Sequence, residues 1–227
     1  MPKISVIIPV YNHAGELKKT LAALRAQTFK DFEIIAVNDG SSDNTSSTLK
    51  EFFDVRVIDI PHSGAARARN VGASSAKGEY LIFVDADAKL LPDALKKFLA
   101  ALEAESRAAF TYSSFYFGWK KFDNLEWSGE RLRKNNFIHT TSLIRKDKFP
   151  GFDESLQRFQ DWDLWLRIVK EGGYGVWIPE ALFKIAPRSS GGISKWLPKF
   201  AYKLPWFKAV KEYKRAADII KKKHNLC

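Results

Sequence analysis

The chain has a single cysteine in 227 residues, and it is the last one, Cys227. One thiol excludes a disulfide framework and a clustered-thiol metal site, and it fits a reducing compartment. Long apolar runs are missing too, since no stretch reaches the roughly 20 residues that a membrane-spanning helix needs. The opening Met1-Pro-Lys-Ile-Ser-Val-Ile-Ile-Pro9 is too short, and too soon interrupted by proline, for a signal peptide. A soluble or peripheral chain is therefore expected, cytoplasmic or on the cytoplasmic face of a membrane. Histidine is scarce, and His13, His62, His139 and His224 show no metal-ligand spacing. His139 alone lies in a region that could face a second substrate.

Acids are outnumbered, 26 against 37 Lys and Arg, for a net charge of +11. The excess is uneven: residues 195–227 carry ten Lys and Arg and two acids, a net of +8, which leaves +3 for the rest. A basic tail on a nearly neutral body suggests a surface-binding appendage, not a nucleic-acid-binding core. No reading helix or RNA-binding signature accompanies the charge. The 45% hydrophobic content suffices for the packed core of one ordinary domain.

What is present is an alternation of strand and helix patterns. Ile4 to Pro9, Glu33 to Asn38, Val55 to Ile60 and Tyr80 to Val84 read as strands. Helices are expected at Gly15 to Gln27, from the Asp43-Asn44-Thr45 cap to about Phe53, and at Ser63 to Ala76. Such a βαβαβαβ series implies a mostly parallel sheet with helices on both faces, and ligands outside the carboxyl ends of its strands. A helix at about Leu91 to Glu105, strands at Phe110 to Phe117 and Phe137 to Ile144, and a helix at Asp161 to Lys170 complete the pattern.

Three polar segments fall at the strand ends: Tyr11-Asn12, Asp39-Gly40-Ser41 and Asp85-Ala86-Asp87. The last is the most informative. In an extended Asp-x-Asp segment both carboxylates point the same way, which suits a hard divalent cation completed by water and a ligand's phosphates. Capping or turn formation is the plainer use of such a pair. Asp39 could meet a nucleobase or ribose, or bind its own backbone. Ser63 to Gly72 offers a glycine-led helix start with Arg67 and Arg69, suited to a base edge or a diphosphate, or simply solvated. Asp161 and Asp163 open a helix whose dipole favours acids, and one of them could be a general base. In the tail, Trp206, Val210, Tyr213, Ala217 and Ile220 fall at helical spacing with lysines on other faces. That pattern fits a membrane interface or a helix packed on the domain.

Together these segments resemble the family 2 inverting glycosyltransferases of the GT-A fold, over roughly residues 3 to 185. Val6-Ile-Ile-Pro-Val-Tyr-Asn12 is similar to the family's first strand and nucleotide loop, and Val37-Asn-Asp-Gly-Ser-Ser-Asp-Asn-Thr45 to its second motif. Ala68-Arg-Asn-x-Gly72, Phe83-Val-Asp-Ala-Asp87, and Gly151-Phe-Asp-Glu154 with Gln160-Asp161-x-Asp163-Leu-x-Leu-Arg167 resemble the remaining ones. The resemblance implies a Rossmann-like, mostly parallel central sheet with helices on both faces and a smaller acceptor-side region. Residues 1–186 would form the glycosyltransferase domain, nucleotide-binding over about 1–90 and acceptor-side over about 91–186. Residues 187–227 would be a basic aromatic loop and amphipathic tail.

By the same likeness Pro9, Tyr11, Asn12, Asp39, Arg69 and Asp85 would bind the nucleotide, Asp87 would coordinate Mn2+ or Mg2+, and Asp161 would be the general base. His139, Trp162, Asp163 and Arg188 would serve the acceptor or a closing lid. The implied reaction moves a sugar, with inversion, from a UDP-sugar ahead of a GDP-sugar to a hydroxyl or phosphate acceptor. Lipid-linked acceptors in polysaccharide or glycolipid assembly are among the candidates, as is membrane-surface contact through residues 195–227. One departure stands out: the family usually has Glu where this chain has Gln160, so a charge that would raise the base's pKa is missing. A nucleotidyltransferase and a catalytically silent nucleotide- or carbohydrate-binding module remain as alternatives.

Overall fold

A computed structural model of the chain describes residues 1–186 and 208–226. In its first half, β1 (Ile4–Val10), α1 (Ala14–Arg25), β2 (Phe32–Asp39), α2 (Thr45–Lys50), β3 (Val55–Ile60), α3 (Ala65–Ser75) and β4 (Tyr80–Phe83) follow the expected alternation. The second half contains β5 (Ala88–Leu90), α4 (Ala94–Ala104), β6 (Phe110–Phe117), β7 (Lys120–Phe122), α5 (Gly129–Lys134) and β8 (Leu143–Arg145). It continues through α6 (Gln160–Lys170) and β9 (Gly175–Ile185), and α7 (Lys208–Lys223) closes the described chain.

All nine strands form one sheet in the order β3-β2-β1-β4-β8-β6-β9-β5, with β7 hairpinned onto β6. The β3-β2-β1-β4 portion is parallel, β8 runs antiparallel to both β4 and β6, and β6 pairs with β9 in parallel. The strand order reverses at β1, whose neighbours are β2 and β4. Such a reversal point, outside the carboxyl ends of β1 and β4, is the usual position of the ligand crevice in an open α/β sheet.

The core lies on both faces of the sheet, as the period of two along each strand dictates. Ile4, Val6, Ile8 and Val10 of β1, with Tyr80 and Ile82 of β4, pack against Leu17, Leu21 and Leu24 of α1 and Leu95, Phe98 and Leu102 of α4. Ile7, Leu81 and Phe83 face the other way, toward Ala66, Ala68 and Ala73 of α3 and Leu164, Trp165 and Ile168 of α6. Small residues let α3 approach closely; a Cβ on Gly72 would lie 2.4 Å from Ile7 Cγ2.

Two expectations need correction. The expected strand over Phe137–Ile144 shrinks to β8, because residues 135–142 form a loop that turns toward the crevice. The eleven-residue β9 was not expected. Its ladder with β6 skips from Ile178 to Ala181, bypassing Pro179, which has no N–H, and Glu180; the resulting bulge hides the period of two.

Candidate active site

The loops at the carboxyl ends of β1 and β2 are knitted to each other. Asn12 adopts φ +54° and its Oδ1 accepts from the Ser42 N–H at 2.8 Å and the Asp43 N–H at 3.3 Å, while its own N–H donates to Ser41 Oγ at 3.0 Å. This expected nucleotide contact thus shapes the loop around the crevice with its carbonyl oxygen. Pro9 sits two residues beyond the last β1–β4 pair, Ile7 with Phe83, where its missing N–H costs no bond to β4. Tyr11 is exposed and stacks on His62, ring centroids 4.0 Å apart.

Asp39, 2% exposed, is held by the turn before α3. Its Oδ1 accepts from the Ser63 N–H at 2.7 Å and its Oδ2 from the Gly64 N–H at 2.9 Å, while His62 Nδ1 bonds the Asp39 carbonyl at 3.1 Å and lies 3.0 Å from Oδ2. Gly64, at φ +94°, makes that turn possible. Asp39 therefore fixes its surrounding backbone, the second of the uses read from the sequence, and its two N–H bonds leave acceptor capacity on the carboxylate.

Arg69 joins the two ends of the site. It is 7% exposed; Nη2 donates to Asp85 Oδ1 at 2.7 Å, Nη1 donates to Gln160 Oε1 at 3.0 Å, and the guanidinium lies 5.3 Å from the Phe152 ring centroid. Its fork is engaged with Asp85 and α6, while Nε has no hydrogen-bond partner. Gln160 suits this position because it needs an acceptor for Arg69 and a donor for the Leu156 carbonyl, met at 2.7 Å by its Nε2. A glutamate could only accept. Asp85 and Asp87 are both partly exposed on the turn between β4 and β5, and Thr20 Oγ1 holds the Ala86 carbonyl between them at 2.7 Å.

Asp161 lies in the first turn of α6, whose N-cap Phe159 takes the left-handed conformation at φ +58°. Its Oδ1 accepts from the Trp162 N–H at 2.9 Å and its Oδ2 from Asn136 Nδ2 at 2.8 Å. Burial raises the Asp161 carboxyl above the ordinary carboxylate range, against the opposing pulls of His139, those two hydrogen bonds and Arg69. Asn136 was missed by the sequence reading. Its Oδ1 accepts from the Ile138 N–H at 3.2 Å, which fixes the amide orientation, but an Asn-Asn pair in a loop carries no signal of such a role. Burial holds His139 below the ordinary histidine range against the pulls of Asp85, Asp161 and Asp87.

Trp162 and Asp163 do not meet the acceptor role expected of them. Trp162 is 2% exposed and its indole N–H donates to the Leu132 carbonyl at 2.7 Å, packing α6 on α5. Asp163 is fully buried, with Arg167 Nε at 2.8 Å, Lys223 Nζ at 2.6 Å and His224 Nε2 at 2.8 Å. It fastens α7 to the domain, together with Lys223–Asp153, Arg158–Glu212 and the Phe159–Tyr213 ring contact. Val210 and Ile220 of α7 are buried. This part of the tail is therefore a helix packed on the domain through Val210 and Ile220, with Tyr213 and Ile219 left exposed. Arg188 lies outside the described residues.

Among the described residues, no group of three or more His, Cys, Asp or Glu side chains could cage a metal by itself, and no helix is long and apolar enough to cross a membrane. The donor set present, one carboxylate at Asp87 beside an Arg-bound Asp85, is of the kind that holds Mg2+ or Mn2+ when a substrate diphosphate supplies the remaining oxygens.

The family model for glycosyl transferase family 2 matches residues 5–164. An uncharacterized glycosyltransferase of Haemophilus influenzae is 30% identical over 186 residues, which is 75% of this chain and 63% of the relative. S. aureus TarS 1-349 in complex with UDP-GlcNAc superposes with a TM-score of 0.74 at 20% identity, over 83% of this chain and 60% of that one. The mannosyltransferase PcManGT from Pyrobaculum calidifontis, in complex with GDP-Man and Mn2+, gives 0.66 at 18% identity, over 99% and 70%. The chain thus spans less than two thirds of the first two, and the fold it shares with the solved structures is that of GT-A glycosyltransferases. On the family match over residues 5–164, the chain belongs to glycosyl transferase family 2.

Proposed function

We propose that this glycosyltransferase moves a sugar, with inversion at the anomeric carbon, from a nucleotide-sugar donor to a hydroxyl or phosphate acceptor, with Asp161 as general base and UDP-sugars as the first donors to test. The observation that carries the reading is the Arg69 bridge. By binding both Asp85 and Gln160 it ties the acidic turn after β4 to the residue next to Asp161, bringing donor-side and acceptor-side chemistry into one crevice.

In this reading Tyr11 offers its ring face to the base, and the remaining acceptor capacity of Asp39 meets a base N–H. Asp85, oriented by Arg69, faces the ribose, and Asp87 holds a divalent cation. When bound, that cation neutralises the negative charge developing on the departing diphosphate. Asp161 takes the proton of the acceptor hydroxyl as its oxygen attacks from the face opposite the leaving group. Burial suits it to this, because a carboxylate of raised pKa is a stronger base. Asn136 and the Trp162 N–H hold both oxygens in place before substrate arrives.

The acceptor is proposed to be lipid-linked, at an anionic membrane surface. Support comes from α7, which is docked by its apolar face and turns Lys208, Lys211, Lys214, Arg215 and Lys222 outward. The aromatic residues 195–207 that suggested interfacial binding lie outside the described residues.

The experiment is incubation with Mn2+ and a panel of UDP- and GDP-sugars, using wild type and Asp161→Asn. Transfer or donor hydrolysis by wild type, lost in the variant while nucleotide affinity is kept, is expected. Equal turnover by both would remove Asp161 as base, and nucleotide binding without turnover by either would make the chain a binding module.

A further inference from the structure

His139 lies within electrostatic reach of Asp85, Asp161 and Asp87, and the backbone beside it decides what its ring can do. The Thr141 N–H donates to His139 Nδ1 at 3.0 Å, so Nδ1 carries a lone pair. An imidazole whose Nδ1 is unprotonated is neutral and keeps its one proton on Nε2. The ring packs against the stacked pair Phe115 and Phe183, with centroid distances of 5.3 and 5.1 Å, and Ser142 Oγ fixes the His139 carbonyl at 2.8 Å. Among the described residues Nε2 has no hydrogen-bond partner, yet it is not one of the polar atoms sealed from solvent without one. The charged groups around the ring are Asp85 and Asp87 from the turn after β4, Asp161 from α6 and Arg69 from α3.

We infer that His139 is a neutral hydrogen-bond donor locked in the Nε2–H form, and that its ligand is an oxygen of the bound nucleotide sugar. This rests on the donor-site reading above. A charged imidazole would cancel the negative potential that a divalent cation needs and would stabilise Asp161 as a weaker base. A neutral ring supplies a directed N–H without doing either. The lock is built into the chain locally, since the donor to Nδ1 comes from the backbone only two residues on.

Two measurements test it. In protein carrying 15N-labelled histidine, at pH 6, where an unperturbed histidine is mostly charged, the His139 ring should show an unprotonated Nδ1 and a protonated Nε2. In the second, affinities for UDP-GlcNAc, GDP-mannose, UDP and GDP are measured calorimetrically with Mn2+. His139→Asn keeps an acceptor for the Thr141 N–H but falls short of Nε2, and should bind the preferred nucleotide sugar about tenfold or more weakly. His139→Gln carries an amide N–H about as far as Nε2 and should recover part of the loss. A deficit shared by the bare nucleotide places the bond on the diphosphate, and one confined to the nucleotide sugar places it on the sugar. A protonated Nδ1 at pH 6, or wild-type affinity in His139→Asn, overturns the inference. If wild type binds none of the four nucleotides, the donor-site reading falls and takes the ligand with it, and the ring nitrogens still decide the tautomer.

Discussion

Asp161 is an acid whose surroundings disagree about its proton. Burial raises its pKa, while His139, the Trp162 N–H, the Asn136 amide and Arg69 lower it. A base works only when ionised, so transfer should rise with pH to a plateau, and its acid limb should lie above the ordinary carboxylate range. Asn136→Ala removes one of the lowering contacts and should push that limb further up, as a pH profile of kcat would show. Asp161→Asn should cost about 10²- to 10⁴-fold in kcat, the usual worth of a general base, with nucleotide affinity unchanged. Gln160→Glu gives Arg69 a second carboxylate but sets a negative oxygen against the Leu156 carbonyl and a like charge beside Asp161. The acid limb should move up in this variant also; an unmoved limb would mean that Arg69 screens the new charge completely. At this scale the sequence marked where the acids sit and gave no sign of their partners. Asp39, Asp85 and Asp161 are marked by their places at strand and helix ends, whereas the Arg69 fork and the Asn136 amide depend on contacts 91 and 25 residues apart in the chain.

Among the elements, α7 shows how a motif can be visible while its use is not. Its helical spacing and excess of lysine are plain in the sequence, but only the packed structure shows that Asp163 receives Lys223 and His224. Burial would raise the Asp163 carboxyl, yet the bonds from Lys223 and His224 and the charge of Arg167 hold it below its ordinary range. Burial would lower Lys223, yet Asp153 and Asp163 raise it. The signs give a two-sided window. The acid's contribution is present above its unfolded pKa and is lost as pH falls through the depressed value. The lysine's contribution is present below 10.5 and is lost as pH rises through the raised one. Protection of the α7 amides, taken relative to their intrinsic exchange rate at each pH, should therefore be greatest between those limits and fall on both sides. Asp163→Asn strands three partners around a buried neutral group and should cost about 3 kcal/mol, a fall in Tm of roughly 6–12 °C in a domain of this size. The first four strands were legible because apolar runs alternate with helical periods there. β9 was not, because Pro179 and the bulge beside it break the alternation.

Over the whole molecule, charge and chemistry occupy different regions: the crevice gathers carboxylates while α7 turns lysines outward. If that face meets an anionic membrane, replacing Lys208, Lys211 and Arg215 together by alanine should weaken binding to phosphatidylserine vesicles by about 3 kcal/mol, roughly 100-fold, and leave Tm unchanged. Vesicle flotation at low and high salt reads this directly, and equal recovery of wild type and variant would remove the membrane from the proposal. The two halves of the domain, in turn, are joined by more than the sheet. On α3, Arg69 reaches Asp85 and Gln160, and the neighbouring Asn70 exchanges bonds with Phe152, its Oδ1 accepting from the N–H at 2.7 Å and its Nδ2 donating to the carbonyl at 2.9 Å. A helix that grips both banks of a cleft is a strut. Swinging the banks apart would break these bonds together, so the two banks are expected to move as one body, and a crosslink between α3 and the segment around Phe152 should leave turnover untouched.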